Sequence, residues 1–182
     1  HLLIDIFREL VRQPTIDHRP PTQRVVGFSI LNSQFSIPEL VIAGTGPLRA
    51  DLVRELAAVG IRARFLDWID HDETLRLMAH CELLLFPSAW GEPLSRVMLE
   101  AMACGAPILA MPTGGTPGVL VDGVSGALEP TPARFARRLA QLLDRSEERA
   151  ALGVRARQVA RERYARETVV EQVETLYRWL LR

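Results

Sequence analysis

Apolar positions along this chain follow two habits. Short apolar runs at residues 40–43 (Leu-Val-Ile-Ala), 61–66, 81–86 and 108–111 (Ile-Leu-Ala-Met) read as strands buried on both faces. Between them, apolar residues recur at helical spacing. In residues 1–12, Leu2, Leu3, Ile6 and Leu10 oppose Asp5, Arg8, Glu9 and Arg12. Residues 48–59 turn Leu52, Leu56 and Val59 inward, 72–80 turn Leu75 and Met78 inward, and 131–144 carry Phe135, Leu139, Leu142 and Leu143. A terminal helical region covers 146–182, with Tyr164, Val169, Val173, Leu176, Tyr177 and Leu180 as its apolar face. Residues 119–122 and 126–128 read as a short closing strand region around Gly123 and Gly126. Residues 13–36 carry Pro14, Pro20 and Pro21 and end in a piece of strand composition, 25–31.

Strands that alternate with helices, over crossovers long enough for parallel pairing, predict an α/β fold: a Rossmann-like parallel sheet flanked by helices. Ligands of such sheets sit outside the carboxyl ends of the strands. Each loop that carries candidate chemistry leaves such an end, after Ala43, Leu66, Phe86 and Met111. Glycines after a parallel strand, here Gly44 and Gly46, let backbone approach a ligand.

The most informative stretch is 86–107, read as strand, loop, helix and stop. Glu92 precedes Pro93, and proline is tolerated in the first turn of a helix because its missing N–H would be unpaired anyway. The reading therefore puts Glu92 at the helix mouth and Glu100 about 12 Å further along the axis. Gly105 ends the helix and Pro107 blocks its resumption. Free N–H groups at a helix start favour a phosphate. A carboxylate accepts two hydrogen bonds side by side, which suits vicinal hydroxyls. Carboxylate, phosphate seat and second carboxylate match a nucleotide-sugar. The plainer reading makes Glu92 a helix-start residue and pairs Glu100 with Arg96 on a solvated face.

The chain has 182 residues, 48% of them hydrophobic, with 22 basic and 22 acidic side chains and zero formal net charge. That balance gives no global attraction to nucleic acid or to an anionic membrane. No apolar run of about 20 residues offers a membrane span. Two cysteines, Cys81 and Cys104, make no disulfide framework, so a cytoplasmic setting is expected. Every basic residue is arginine, which excludes a Walker A lysine and a pyridoxal phosphate Schiff base. The four histidines show no metal-ligand spacing, and no Ser-His-Asp arrangement stands out. Neither metal nor cofactor is expected; the nucleotide-sugar is a co-substrate.

Residues 92–107, together with 41–48 (Val-Ile-Ala-Gly-Thr-Gly-Pro-Leu) and Thr113-Gly114-Gly115, resemble the family 4 retaining glycosyltransferases of GT-B fold, in order and at matching distances. The resemblance is detailed from about 40 to 130 and holds in outline to the C-terminus. It implies that residues 1–182 form one nucleotide-sugar-binding domain, the C-terminal half of a GT-B enzyme, with 146–182 as a terminal helical region crossing back to the other half. It implies transfer of a sugar from a nucleoside diphosphate sugar with retention. Glu92, assigned the catalytic position, would hold donor-sugar hydroxyls and Glu100 the ribose. The amides of Leu94 and Ser95, beside Pro93, would cap the phosphate. Trp68 and Ile69 would lie by the base, Gly44 and Gly46 by the donor, and Gly114 and Gly115 beside the donor sugar. The family carries glycines and an aromatic where this chain has Pro93, Leu94 and Ser95. It also carries a strand, an arginine and a lysine just before the first helix. The chain starts at that point, at His1 without methionine, so it is expected to be a piece of something longer, poorly active alone, whose acceptor-binding partner domain is missing. An epimerase of the same architecture and a degenerate, non-catalytic binding module are the alternatives.

Overall fold

The computed structural model describes residues 2–12 and 39–182. The strand composition at 25–31 lies outside the described residues. Helix α1 (Leu2–Arg12) is followed by β1 (Leu40–Ala43), α2 (Arg49–Ala58), β2 (Ala63–Leu66), α3 (His71–His80), β3 (Leu84–Phe86), α4 (Arg96–Cys104), β4 (Ile108–Ala110), α5 (Thr116–Val119), β5 (Ala127–Leu128), α6 (Pro132–Asp144), α7 (Ser146–Arg163) and α8 (Arg166–Leu180). This is the predicted α/β alternation, and every strand ladder is parallel. Among the described residues the strands form two sheets, β1–β2 and β3–β4–β5.

The continuous apolar runs are explained by β4. Its residues are fully buried, and alternate side chains leave on opposite faces. Leu109 joins one core with Ile6 and Phe7 of α1, Leu56 of α2 and Phe135, Leu139 and Leu142 of α6. Ile108 and Ala110 join a second core with Met78 of α3, Met98 and Met102 of α4, and Ala156 and Val159 of α7. Leu85 of β3 faces the first core while Leu84 and Phe86 face the second. Leu40 and Ile42 of β1 and Phe65 of β2 pack on the first, so both sheets share it.

Local signals set most element ends. Thr131 caps α6, its hydroxyl accepting from the Arg134 amide at 3.3 Å, with Pro132 in first place. Gly105 ends α4 in the left-handed region at φ 79°.

Three expectations change. The helix after β3 starts at Arg96, not at Pro93, because Ser95 is extended and its hydroxyl accepts from the Met98 amide at 3.4 Å. The closing strand region begins with a four-residue helix, α5, before β5. The terminal helical region is two helices, divided at Tyr164, and no residue of α8 is buried. Its expected apolar face is exposed at Val169, Val173, Leu176, Tyr177 and Leu180; Tyr164 alone packs, against the second core. The buried terminal face belongs to α7, where Gly153 meets Gly105: a Cβ on Gly153 would stand 2.3 Å from the Gly105 carbonyl oxygen.

Candidate functional site

Parallel ladders send every strand's carboxyl end the same way within a sheet, and the loops leaving those ends carry the predicted residues. Hydrogen bonds and an ion pair join the loops after β1 and β2, hydrogen bonds join those after β3 and β4, and His71 approaches Glu100 between the two sets. After β1, Gly44 adopts φ 111° and its amide donates to the carbonyls of Leu66 (3.1 Å) and Asp67 (3.0 Å) at the end of β2. Arg49, opening α2, reinforces this join. Its Nε stands 3.2 Å from the Asp67 carboxylate, and its guanidinium lies 5.4 Å over the centroid of the Phe65 ring. Gly46 meets nothing where a Cβ would point; its carbonyl accepts from the Arg49 amide and turns the chain into α2.

The β2 loop presents Trp68 and Ile69. Trp68 is 81% exposed, which rules out the packing role an apolar residue beside a strand would ordinarily have. Ile69 is half-buried. Asp70 closes the loop as the N-cap of α3, its carboxylate accepting from the Glu73 amide at 2.7 Å while its carbonyl accepts from the Thr74 hydroxyl. The next residue, His71, carries its Nε2 to 4.0 Å from Oε1 of Glu100. The β2 loop and α4 therefore meet at the second glutamate. Glu100 is the fifth residue of α4, about 6 Å along its axis. The basic side chain nearest to its carboxylate among the described residues is His71, not Arg96 one turn earlier.

Glu92 lies outside the helix, half-buried in the loop that leaves β3. The axial separation of about 12 Å from Glu100 therefore does not apply, because only Glu100 is helical. The β4 loop fixes the Glu92 backbone instead. The Gly115 amide donates to the Glu92 carbonyl at 2.9 Å, and the Thr113 hydroxyl donates to the Ser88 carbonyl at 2.8 Å. Glycine is required for this approach. A Cβ on Gly115 would sit 1.7 Å from the Pro93 carbonyl oxygen, and one on Gly114, whose φ is 52°, would sit 2.3 Å from that of Glu92. The predicted glycine pair is thus tied to the loop of the predicted catalytic glutamate.

At the start of α4 the Met98 amide is taken by the Ser95 hydroxyl and the Leu99 amide by the Ser95 carbonyl. The amides of Leu94, Ser95, Arg96 and Val97 have no partner among the described residues. Free N–H donors at the positive end of a helix dipole favour an anion. Ser95 is buried, whereas Pro93 and Leu94 are exposed. Behind the site, burial pushes both thiols up. At Cys104 the Arg157 guanidinium opposes that effect and Glu100 adds to it; at Cys81 the nearby Cys104 adds to it. Neither has the lowered value of an activated nucleophile. The pattern of the sequence did not find His71 or Arg49, whose partners are far along the chain. The one local hint was His71 directly after a capping aspartate.

A frame of parallel strands flanked by helices, with loops joined at their carboxyl ends, is that of a GT-B glycosyltransferase. Anabaena HepE, solved in complex with UDP, superposes with a TM-score of 0.67 at 26% identity, over 75% of this chain and 40% of that one; its complex with UDP-glucose gives 0.66 and 27%. The N-acetyl-alpha-D-glucosaminyl L-malate synthase of Bacillus anthracis is 33% identical over 146 residues, 79% of this chain and 38% of that protein. Spore coat protein SA of Bacillus subtilis is 33% identical over 116 residues, 62% and 31% respectively. The chain thus spans about a third of the length of these curated relatives. Residues 25–159 match the family described as glycosyl transferases group 1, and the chain belongs to that family. Membership favours glycosyl transfer over the epimerase and the non-catalytic module. No described helix is long and apolar enough to cross a membrane.

Proposed function

We propose that this chain is the donor-binding, C-terminal domain of a family 4 retaining glycosyltransferase, with residues 1–182 as one nucleotide-sugar-binding unit and 146–182 as its terminal helical region. The carrying observation is the joining of the loops at the strands' carboxyl ends, after β1 with β2 and after β3 with β4, with His71 after the β2 loop at Glu100 and free amides at 94–97. In this reading Glu100 accepts the ribose hydroxyls, and the amides at 94–97 receive the diphosphate. Glu92, held by Gly115, accepts hydroxyls of the donor sugar. Gly114 and Gly115 border that sugar, Trp68 and Ile69 the base, and Gly44 and Gly46 the donor. The likeness to HepE, solved with UDP and UDP-glucose, favours a uridine donor.

Bond cleavage leaves negative charge on the diphosphate. Preorganised donors aimed at that charge lower the barrier. Arg96, first in α4 and exposed, adds a cation at the same helix start. The acceptor would come from a partner domain, and the exposed apolar residues of α8, such as Leu176, Trp179 and Leu180, are the proposed surface toward it. Free, half-buried thiols suit work in the cytoplasm.

The test is calorimetric binding of UDP, GDP, ADP and their sugar conjugates, with Glu100→Ala as the control. The reading expects one nucleotide to bind. A hydrogen bond to a charged group is worth about 1.5–3 kcal/mol, so Glu100→Ala is expected to weaken binding about 10- to 150-fold. A folded protein that binds none of them, or binds them equally well as Glu100→Ala, defeats it.

A further inference from the structure

Glu100 is 30% exposed and sits on the outer face of a helix. Free of a partner, its side chain would sample several rotamers and lose that freedom on meeting a ligand. The structure places one partner against it. His71 comes from a different helix and a different loop, and its Nε2 lies 4.0 Å from Oε1 of Glu100. That gap is about 1 Å longer than an N–H···O hydrogen bond, within reach of a small torsion change in a solvent-facing imidazole.

The presentation of His71 is rigid. It is the first residue of α3, directly after the Asp70 cap, and α3 packs on α4 through Met78, Met98 and Met102 of the second core. Asp70 is committed to the Glu73 amide, and Glu73 to Arg76 at 3.1 Å. The backbone of His71 is thus set by a capped turn, and its exposed ring reaches toward the carboxylate. Arg96 stands one turn before Glu100 without an ion pair to it among the described residues. His71 also follows the loop of Trp68 and Ile69 directly in the chain, two residues after Ile69.

We infer that His71 is a positioning residue for nucleotide recognition: its Nε2–H donates to Oε1 of Glu100 and sets the carboxylate for the ribose hydroxyls. This rests on the ribose role proposed above for Glu100. An imidazole donates from Nε2 both as the Nε2–H tautomer and as the imidazolium. A carboxylate has about four acceptor positions, so the imidazole takes one and leaves the others for two hydroxyls. Ordering the glutamate before binding removes a rotamer cost that corresponds to roughly three- to tenfold in affinity.

The test compares UDP, GDP and ADP with their 2′-deoxy counterparts by calorimetry, on the wild type, His71→Ala, His71→Gln and Glu100→Ala, each checked as folded by circular dichroism. The expected result has three parts. His71→Ala binds the preferred ribonucleotide three- to tenfold more weakly and its 2′-deoxy form within twofold of wild type. His71→Gln, which keeps a donor, recovers most of the loss. Glu100→Ala abolishes the preference for ribose. Equal weakening of ribo and deoxy forms by His71→Ala, or no weakening, overturns the inference while leaving the Glu100 reading intact. A Glu100→Ala protein that still prefers ribose, or a wild type that binds no nucleotide, overturns both.

Discussion

Gly115→Ala tests whether the loop after β4 holds Glu92 in place. The added Cβ would lie 1.7 Å from the Pro93 carbonyl oxygen and 2.7 Å from its carbon. Real Cβ contacts below 3.0 Å are essentially never seen, so the two loops must separate by about 1.3 Å. The atom in the way is backbone and cannot rotate aside. Separation on this scale breaks the 2.9 Å bond from the Gly115 amide to the Glu92 carbonyl, worth about 0.5–1.5 kcal/mol net. The stability loss is expected to stay near 1–2 kcal/mol, because the clash is at a surface loop and the cores lie elsewhere. The functional loss should be larger in proportion, since an error of 1 Å in a positioning group can cost about 100-fold in rate. Gly118→Ala is the matched control: Gly118 lies in α5, and nothing comes within 4 Å of the new Cβ. Urea unfolding and calorimetry with the preferred nucleotide-sugar would measure both effects. If Gly115→Ala binds and unfolds like Gly118→Ala, the loop join does not position Glu92, and the site as built here is wrong.

Four further outcomes follow from the same geometry. Ser95→Ala removes a buried cap from α4 and should cost about 1 kcal/mol in urea unfolding while weakening nucleotide binding. Trp68→Ala should leave stability within about 0.5 kcal/mol, because the indole is 81% exposed, yet reduce nucleotide affinity in the same titration. Arg149→Ala should cost about 2–4 kcal/mol with donor-site geometry unchanged: its guanidinium donates to the Leu142 and Leu143 carbonyls at the end of α6 and pairs with Glu82 at 2.7 Å. Glu148, hydrogen-bonded by Arg138 at 2.6 Å, titrates below the usual carboxylate range chiefly because of that bond. A depressed carboxylate contributes its stability above the unfolded-state value of about 4.3 and loses it as pH falls through the folded value. The gap between wild type and Glu148→Gln, about 0.5 kcal/mol at neutral pH for a partly exposed pair, should therefore shrink progressively in unfolding curves taken below the unfolded-state value.

Features decided within a few residues were legible in the sequence. The four apolar runs are strands or contain them, and their continuity reflects a sheet covered on both faces, as the opposite destinations of Ile108 and Leu109 show. Thr131-Pro132 and Gly105 mark helix ends by chemistry that needs no distant partner. The start of α4 was misread because two local signals competed. Pro93 is acceptable in a first turn, but only Ser95 supplies an oxygen for a free amide, and the cap prevailed. The division of the terminal region at Tyr164 was hidden for another reason. The face that α7 buries mixes Leu152 and Val159 with Gly153, Ala156 and Ala160, small residues that blur the stripe and admit α4 closely at Gly105. The His71–Glu100 pair spans 29 positions and exists only because α3 packs on α4, so no spacing rule could find it.

The candidate site follows the same division. The sequence marked residues whose types carry chemistry, Glu92 and Glu100, and residues that permit close backbone approach, Gly44, Gly114 and Gly115. It could not show which glycine serves which glutamate. The geometry assigns Gly115 to Glu92 through one hydrogen bond and a contact that any side chain would block. Gly44 serves a different join, between the ends of β1 and β2. The two glutamates are therefore not equivalent ends of one rigid helix. Glu100 is fixed by α4 and faced by α3, whereas among the described residues Glu92 is held by its loop's bond to the β4 loop. Binding groups on a helix inherit the stability of the core beneath it, here Met98 and Met102. A group held by a loop clasp inherits only the clasp, a few hydrogen bonds of about 1 kcal/mol each. If Glu100 takes the ribose and Glu92 the donor sugar, as proposed, the ribose end of the site is the stiffer one and the sugar end is where the domain can yield.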